Sequence, residues 1–507
     1  MGNNNSHGKS DIKDGSGMST PRGSTRSMRS GSNGEVQDQP EKSEQQTTSL
    51  VPVEKLGKLL AHRSQKEDGV NGVTEKSFTK YLFPMYPELA RQFYNYVHRT
   101  AKCKNNHIPL SAFRQQCEKI LAMLDDNAII ETYIRMFSSE PEEGNVTPND
   151  LRALLYISYK LSMDHYPEGP QACPMINKTL SAVIRGCFNN KDSHSVGFVV
   201  RWLEEHCHRL IFPIHRYCVH ILATRHRDIE SLSSSSSSSG SLELGTPVLE
   251  RGSWAGGSGA GSGGSGLLPV SAAWLLAATA PPLYSRPAKP PPHPGGTTAS
   301  TAWMARLVCA LPSHWVPLYA SNEHGLGANR FLHHTLAYRG PTLVVIEGKC
   351  AGEESSESER VTVVVCAPQE WRDTHQYWGG PQGALVQLYP TLSLVECGPK
   401  LLYLNSHIRG YPRGLRSGSD PRRPLLSVNE GFDSFTFKGV PYTLCAVEVW
   451  GCGEQALREA QLEVKKWQVR EAERQRQVKI SAADWIEHPD RYLLELAGRP
   501  QYNNAAT

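Results

Sequence analysis

Thr342-Leu343-Val344-Val345-Ile346, Val361-Thr362-Val363-Val364-Val365-Cys366, Ala384-Leu385-Val386-Gln387-Leu388-Tyr389, Leu401-Leu402-Tyr403-Leu404 and Cys445 to Trp450 are five short apolar runs. Each is rich in β-branched or aromatic side chains and is bounded by Gly, Pro or charge. Runs of that length between turn signals predict an antiparallel β-sandwich. The flanking stretches are polar and carry glycine where the chain must turn. Ser321-Asn322-Glu323-His324-Gly325 precedes the first run, with Asn329-Arg330-Phe331 and Tyr338-Arg339-Gly340-Pro341 behind it. About ninety residues later stands Gly431-Phe432-Asp433-Ser434-Phe435-Thr436-Phe437, and Ala446-Val447-Glu448-Val449-Trp450-Gly451 closes the region. His324-Gly325 and Asn429-Glu430-Gly431 fall between strands, where glycine tolerates positive φ.

These separated blocks, in this order, resemble a TLDc domain, with the match running from about Leu267 to Gly453. The fingerprint residues are His324, Gly325, Asn329, Arg330, Phe331, Gly340, Gly431, Phe432, Asp433, Phe435, Glu448, Trp450 and Gly451. The resemblance implies a binding and regulatory module, often one acting on the vacuolar-type proton pump (V-ATPase), and no enzyme. His324 reads either as a catalytic base or as a structural loop histidine. No nucleophile or second polar partner stands at a recognisable spacing, which favours the loop. Gly327 occupies the position, two after His-Gly, where the family usually has serine. Glu448 and Cys452 admit a redox reading, against which stands the lack of any activating motif beside either.

The length of 507 residues suits two or three domains. With 21% charged residues and a formal net charge of +4, no nucleic-acid footprint is evident. The 12 cysteines form no CxxC pair and follow no secretory signal, a pattern expected of reduced thiols. His206-Cys207-His208, His215, Cys218 and His220 invite a zinc reading. Their spacing fits no common finger and they lie in a helical apolar stretch, so core residues are expected. No metal or other cofactor is expected, and no run of apolar residues is long enough to span a bilayer.

Residues 1–50 are polar, with almost no large apolar side chain, and are predicted to be disordered. Met1-Gly2-Asn3-Asn4-Asn5-Ser6 fits the N-myristoylation pattern, with Gly2 as acceptor. One myristoyl chain binds membranes only marginally, so a second signal is needed. Lys9, Lys13, Arg22, Arg26 and Arg29, opposed by Asp11 and Asp14, give weak electrostatic help.

From 51 to 228 the period shifts to that of helices. Leu89, Phe93, Tyr96 and Val97 mark one face; Ile130, Ile134 and Phe137 mark another. Four helix-loop-helix units, with Val73, Ile108, Val146 and Val196 in their loops, resemble paired EF-hands without calcium ligands. Aligning Gly144 with the turn glycine puts Ser139 first, Glu143 fifth and Asp150 twelfth, short of a calcium set. A plain helical bundle is the competing reading. Residues 229–266, Ser- and Gly-rich, are expected to be a linker. Ala272 to Ala280 reads as a core helix, and Pro281 to Gly296 as a surface loop.

Beyond Gly453, residues 454–507 predict amphipathic helices. Leu457, Ala460, Val464 and Trp467 form a seam that either folds back on its own domain or grips a partner helix. The order of parts is similar to the myristoylated, mTOR-associated TLDc subfamily. That resemblance implies a peripheral protein of cytoplasm and lysosomal membranes, contacting V-ATPase and mTOR pathway components. Two rival classes are an oxidation-resistance protein with redox activity and a calcium-responsive membrane adaptor. The expected architecture is therefore α+β: an EF-hand-like helical domain, a TLDc β-sandwich flanked by helices, and a helical tail.

Overall fold

The computed structural model describes residues 51–140, 143–163, 175–234, 266–285, 314–350 and 360–476, together with 493, 496 and 497. Gly2, the proline-rich insert beyond Ser285 and most of the second tail helix lie outside the described residues; Pro282–Ser285, expected as surface loop, is a helical turn with Tyr284 buried, which corrects that reading. The architecture is α+β, with helices first and an antiparallel sheet after them.

The helical part comprises α1 (Val51–Asp68), α2 (Glu75–Ser77), α3 (Pro87–Thr100), α4 (Leu110–Leu121), α5 (Asp126–Phe137), α6 (Pro148–Met163), α7 (Ile176–Phe188), α8 (Val196–Cys207) and α9 (Phe212–Ser234). In α3 the buried stripe is Leu89, Ala90, Phe93, Tyr94 and Val97. Tyr94, not Tyr96, is the buried tyrosine. Its hydroxyl reaches the carbonyls of Val73 and Asn106, which lets the phenol enter the core with its polar end satisfied. α9 continues through Ser234, so residues 229–234, expected as the start of a linker, are helical; the rest of that stretch up to 265 lies outside the described residues.

Two pairs of inter-helix loops meet. Val73 and Ile108 exchange both backbone hydrogen bonds at 2.9 Å. β1 (Asn145–Val146) and β2 (His194–Ser195) pair antiparallel, with Val146 opposite His194. Val196 follows that ladder: it opens α8, behind the N-cap Ser195, and its N–H donates to Gly144 O of the facing loop at 2.9 Å. Asp150 is also differently employed. Its carboxylate accepts from Thr147 N–H at 2.9 Å while Thr147 Oγ1 accepts from Asp150 N–H at 3.3 Å, a reciprocal cap on α6.

α10 (Val270–Thr279) is apolar all round, and all ten of its residues are buried. It does not belong to the sheet region alone. Trp274 packs edge-on to Tyr159 of α6 at 5.5 Å, and Arg209 donates to Ala277 O at 2.7 Å and also to Ala280 O. The same apolar cluster contains Leu343, Val345, Val364, Cys366 and Trp450 of the sheet. α10, followed by the single turn α11 (Pro282–Ser285), is thus wedged between helices and sheet.

The strands are β3 (Val316–Ala320), β4 (Thr342–Cys350), β5 (Arg360–Ala367), β6 (Thr374–Trp378), β7 (Ala384–Tyr389), β8 (Ser393–Cys397), β9 (Leu402–Asn405), β10 (Gly414–Ser417), β11 (Leu426–Val428), β12 (Ser434–Phe437) and β13 (Val440–Gly451). All eleven are hydrogen-bonded into one sheet, so the expected two-sheet sandwich is corrected to a single curled sheet. β13 explains the difference. One of its edges pairs with β4, while the other is shared by β12 near its start and β3 near its end. Two wings leave this strand, β4-β5-β7-β8 and β12-β11-β10-β9-β6. Val344, Val363 and Leu385 of one wing share a buried cluster with Leu402, Leu404 and Leu415 of the other, so the sheet folds around one filling. Alternate residues of β4 and β5 point into the two clusters. Both faces are covered, and that is why these strands read as unbroken apolar runs.

Candidate functional site

The two fingerprint blocks meet in space. Block one supplies the turn α12 (Ser321–His324) and the helix α13 (Ala328–Thr335). Block two is the β11–β12 turn. Phe331 of α13 is fully buried and packs on Phe432 at 5.1 Å, with Trp371 edge-on at 5.8 Å. Phe432 takes φ +56, which turns its ring inward from a tight loop. That loop is closed by Asn429, whose side chain accepts from Asp433 N–H at 3.1 Å and donates to the Asp433 carboxylate. Hydrogen bonds from Ser434 and Asn429 hold the Asp433 carboxyl below the usual carboxylate range.

Beside the Phe331–Phe432 contact lies a cleft of about 490 Å³. Asn329 and Arg330 line one wall, Asn405 and Ser406 another, and Glu430 and Gly431 a third. Glu430 is paired with Arg413 at 3.1 Å, while Asn329 and Arg330 are exposed. The cleft offers hydrogen-bonding groups of both signs at the point where the fingerprint converges, a size and chemistry suited to a partner side chain or short segment.

The remaining fingerprint residues hold the framework. His324 Nδ1 lies 3.1 Å from both the N–H and the carbonyl of Ala320, and its ring stacks on Tyr319 at 5.8 Å. It closes the α12 turn as a loop histidine. Gly325 follows at φ +84, its carbonyl accepting from Tyr319 OH at 2.7 Å. Gly340 and Gly451 share one physical reason. A Cβ at Gly340 would stand 2.9 Å from the Tyr338 ring, and one at Gly451 would stand 2.7 Å from it. The Tyr338 hydroxyl accepts from Gly453 N–H at 2.9 Å, so this ring is cradled by glycines. Phe435 is buried and stacks on Tyr442 at 5.2 Å. Glu448 is buried and accepts from Leu267 N–H at 2.6 Å and from Trp450 Nε1 at 3.1 Å. Burial raises its carboxyl above the usual range, an effect those two donors oppose. Cys452, the other half of the redox reading, is fully buried with its thiol pushed well up by desolvation.

Among the described residues no group of three or more His, Cys, Asp or Glu is placed to hold a metal ion. The His206 to His220 cluster is core packing. Cys207 and Cys218 are buried, His206 stacks on Trp202 at 4.7 Å, and burial lowers His206, His215 and His220. Among the described residues no helix is long and apolar enough to cross a membrane.

One constellation was invisible in the sequence. Asp373, Ser406 and His407 meet across 33 residues: Ser406 N–H donates to Asp373 Oδ1 at 2.9 Å, Ser406 Oγ donates to Oδ2, and His407 Nδ1 lies 3.0 Å from Oδ2. The residue types are those of a hydrolytic triad, but the geometry is not. His407 Nδ1 faces both the carboxylate and, at 3.4 Å, the hydroxyl, whereas proton relay needs opposite ring nitrogens. The carboxylate clasps a turn.

The tail helix α14 (Gln455–Arg476) splits the predicted seam. Leu457 and Val464 are half-buried; Ala460 and Trp467 are exposed, Trp467 at 62%. The face that docks also carries Gln461, fully buried, whose Nε2 donates to His334 O at 3.0 Å and Leu336 O at 3.1 Å.

Residues 297–453 match the family profile described as TLDc domain. The chain carries a TLDc domain. It is also similar to proteins named "Restriction of telomere capping protein 5". The Neurospora crassa protein is 24% identical over 292 residues, covering 43% of this chain and 48% of that one. The Leptosphaeria maculans protein is 23% identical over 250 residues, covering 36% and 40%. The chain thus spans about half or less of these relatives' length. The share of this chain aligned with the Neurospora protein exceeds the span of the TLDc profile, so the similarity reaches beyond that domain.

Proposed function

We propose that this protein is a non-enzymatic, lipid-anchored interaction module that binds the V-ATPase at lysosomal membranes and influences mTOR signalling. The observation that carries the interaction reading is the convergence of the two TLDc blocks on an open cleft with no catalytic relay beside it. The pump, the lysosome and the mTOR pathway come from the resemblance to the myristoylated TLDc subfamily. The anchor rests on the Gly2 motif. An oxidation-resistance role with intrinsic redox chemistry is less well supported: Cys117, Cys187, Cys207, Cys218, Cys366, Cys397 and Cys452 all have thiols pushed up by burial, the opposite of activation. The meeting of loops at Val73–Ile108 and β1–β2 supports an EF-hand-like ancestry for the helices. A calcium-responsive adaptor is disfavoured because Asp150 caps a helix. A second reading, a role of the kind recorded in the relatives' name, is favoured by the similarity extending beyond the TLDc profile.

Membrane fractionation of cells expressing the wild type and Gly2→Ala, followed by capture of the full chain and quantification of pump subunits, tests the proposal. The expected result is membrane-bound wild type with co-purified pump, and a cytosolic variant. Equal membrane binding of both would refute the anchor, and wild type without pump would refute the partner.

A further inference from the structure

Where α14 lies on α13, basic groups from three elements converge. The His334 ring is 3.9 Å from that of His324 on α12 and 5.0 Å from that of His333 on α13. Lys465 and Arg458 approach from α14, and Arg330 from the first turn of α13. Tyr319 of β3 completes the setting, 5.9 Å from His334. The charges acting on His334 are those of His324, Lys465, His333 and Arg458; those acting on His333 are Lys465, Arg330 and His324. All are cations or imidazoles. The nearest carboxylates in sequence do not answer them: Glu463 is bound to Lys466 at 2.9 Å, and neither Glu323 nor Glu459 is among the groups acting on either ring. Arg458 is hydrogen-bonded to Gln461 Oε1 at 2.6 Å, a neutral partner.

The helix is nonetheless held here. Gln461 donates to two carbonyls at the end of α13, and Leu457 fills the space beside Gly340 and Gly453. We propose that the α13–α14 seam is an acid-released contact, in which protonation of His333 and His334 against Arg330, Arg458 and Lys465 frees the first turns of α14 from the TLDc domain. Burial first, then the surrounding cations, lowers His334 to about 4 and also lowers His333; Lys465 is brought down to about 8 by burial and Arg458. The sign follows. The part of the depression that α14 supplies, through Lys465 and Arg458, is lost on release, so the rings bind fewer protons docked than released. The contribution of the two rings is therefore fully present above the ordinary histidine value near 6.5 and weakens as pH falls from there toward about 4, while Lys465 adds a separate weakening over the higher range below its ordinary value.

This inference does not depend on the pump or the membrane, because both sides of the contact belong to this chain. Hydrogen–deuterium exchange of the full chain at pH 7.5 and 5.0, corrected for intrinsic rates, tests it. Protection in 455–470 is expected to fall about tenfold at the lower pH, allowing for solvent screening, while β4 and β5 stay protected. The double variant His333→Gln/His334→Gln should remove the drop, since Gln461 bonds to backbone carbonyls that the substitutions keep. Lys465→Gln should reduce it. Protection in α14 that is unchanged at pH 5.0, that falls only in step with the strands, or that still drops in the double variant would overturn the proposal.

Discussion

The two sides of the sheet are built differently. The side facing the helices is largely apolar: Leu343, Val345, Val364, Cys366 and Val386 close on α10 and the helices behind it. Its polar contacts are few, as where Thr179 Oγ1 lies 2.8 Å from both Ser271 Oγ and Tyr389 OH. Backbones also touch there. Leu392 N–H donates to Ala182 O at 2.9 Å, and a Cβ on Gly186 would stand 2.4 Å from Leu392 O. The side carrying α13, α14 and the β11–β12 turn instead ends in an open cleft and a crowd of cations. One side joins helices to sheet, and the other carries the cleft. Substitutions of buried residues on either side should cost stability; those of exposed residues on the second should leave stability alone and change binding.

Trp274→Ala should do the most damage. It empties a fully buried site between α6 and the sheet and is expected to cost about 3–5 kcal/mol. Because α10 touches both parts, thermal unfolding followed by far-UV circular dichroism and by tryptophan fluorescence should shift together. Two separated transitions would show that helices and sheet are independent. Gly451→Ala comes next, at about 1–3 kcal/mol, since its Cβ meets the Tyr338 ring at 2.7 Å. A melting temperature equal to wild type would show that the glycine cradle can relax.

Asp150→Ala removes one half of a helix cap and should cost about 1 kcal/mol by denaturant titration. Calorimetry of the full chain at millimolar calcium should show no saturable binding in either protein. A one-to-one titration lost in the variant would restore the calcium reading. Arg330→Glu should have the smallest effect on stability, within about 0.5 kcal/mol, because the side chain is exposed. A large drop in melting temperature would mean that the cleft side is also structural.

Sequence reading captured the parts whose signal is local. β4, β5 and β7 were legible because both faces are buried and the runs are continuous. How they close was not, since that depends on β13 dividing one edge between β12 and β3. β6 (Thr-His-Gln-Tyr-Trp) and β10 (Gly-Leu-Arg-Ser) carry too little apolar character to register as strands. α10 was recognisable as a buried helix, while its place between two layers was not. In the tail, an apolar seam was read through Ala460 and Trp467, yet the docking face turns on Gln461. A buried glutamine gives no hydrophobic signal; its position makes sense only once the carbonyls of His334 and Leu336 are in place. The His334–Lys465 approach and the Asp373–Ser406–His407 clasp unite residues far apart in sequence. The fingerprint residues, by contrast, were read as one set. The structure separates them into cleft walls (Asn329, Arg330, Gly431) and framework (His324, Gly340, Glu448, Gly451).

The most direct test of the central claim, that the cleft side is a binding surface, compares wild type with Arg330→Glu and Trp467→Glu in pump capture from solubilised lysosomal membranes. Both substituted side chains are exposed, so each variant should melt like wild type. The account predicts that wild type retains the V-ATPase and that each variant loses at least about tenfold, the double variant more, as two linked contacts require. Full retention by the double variant, with melting unchanged, would contradict it.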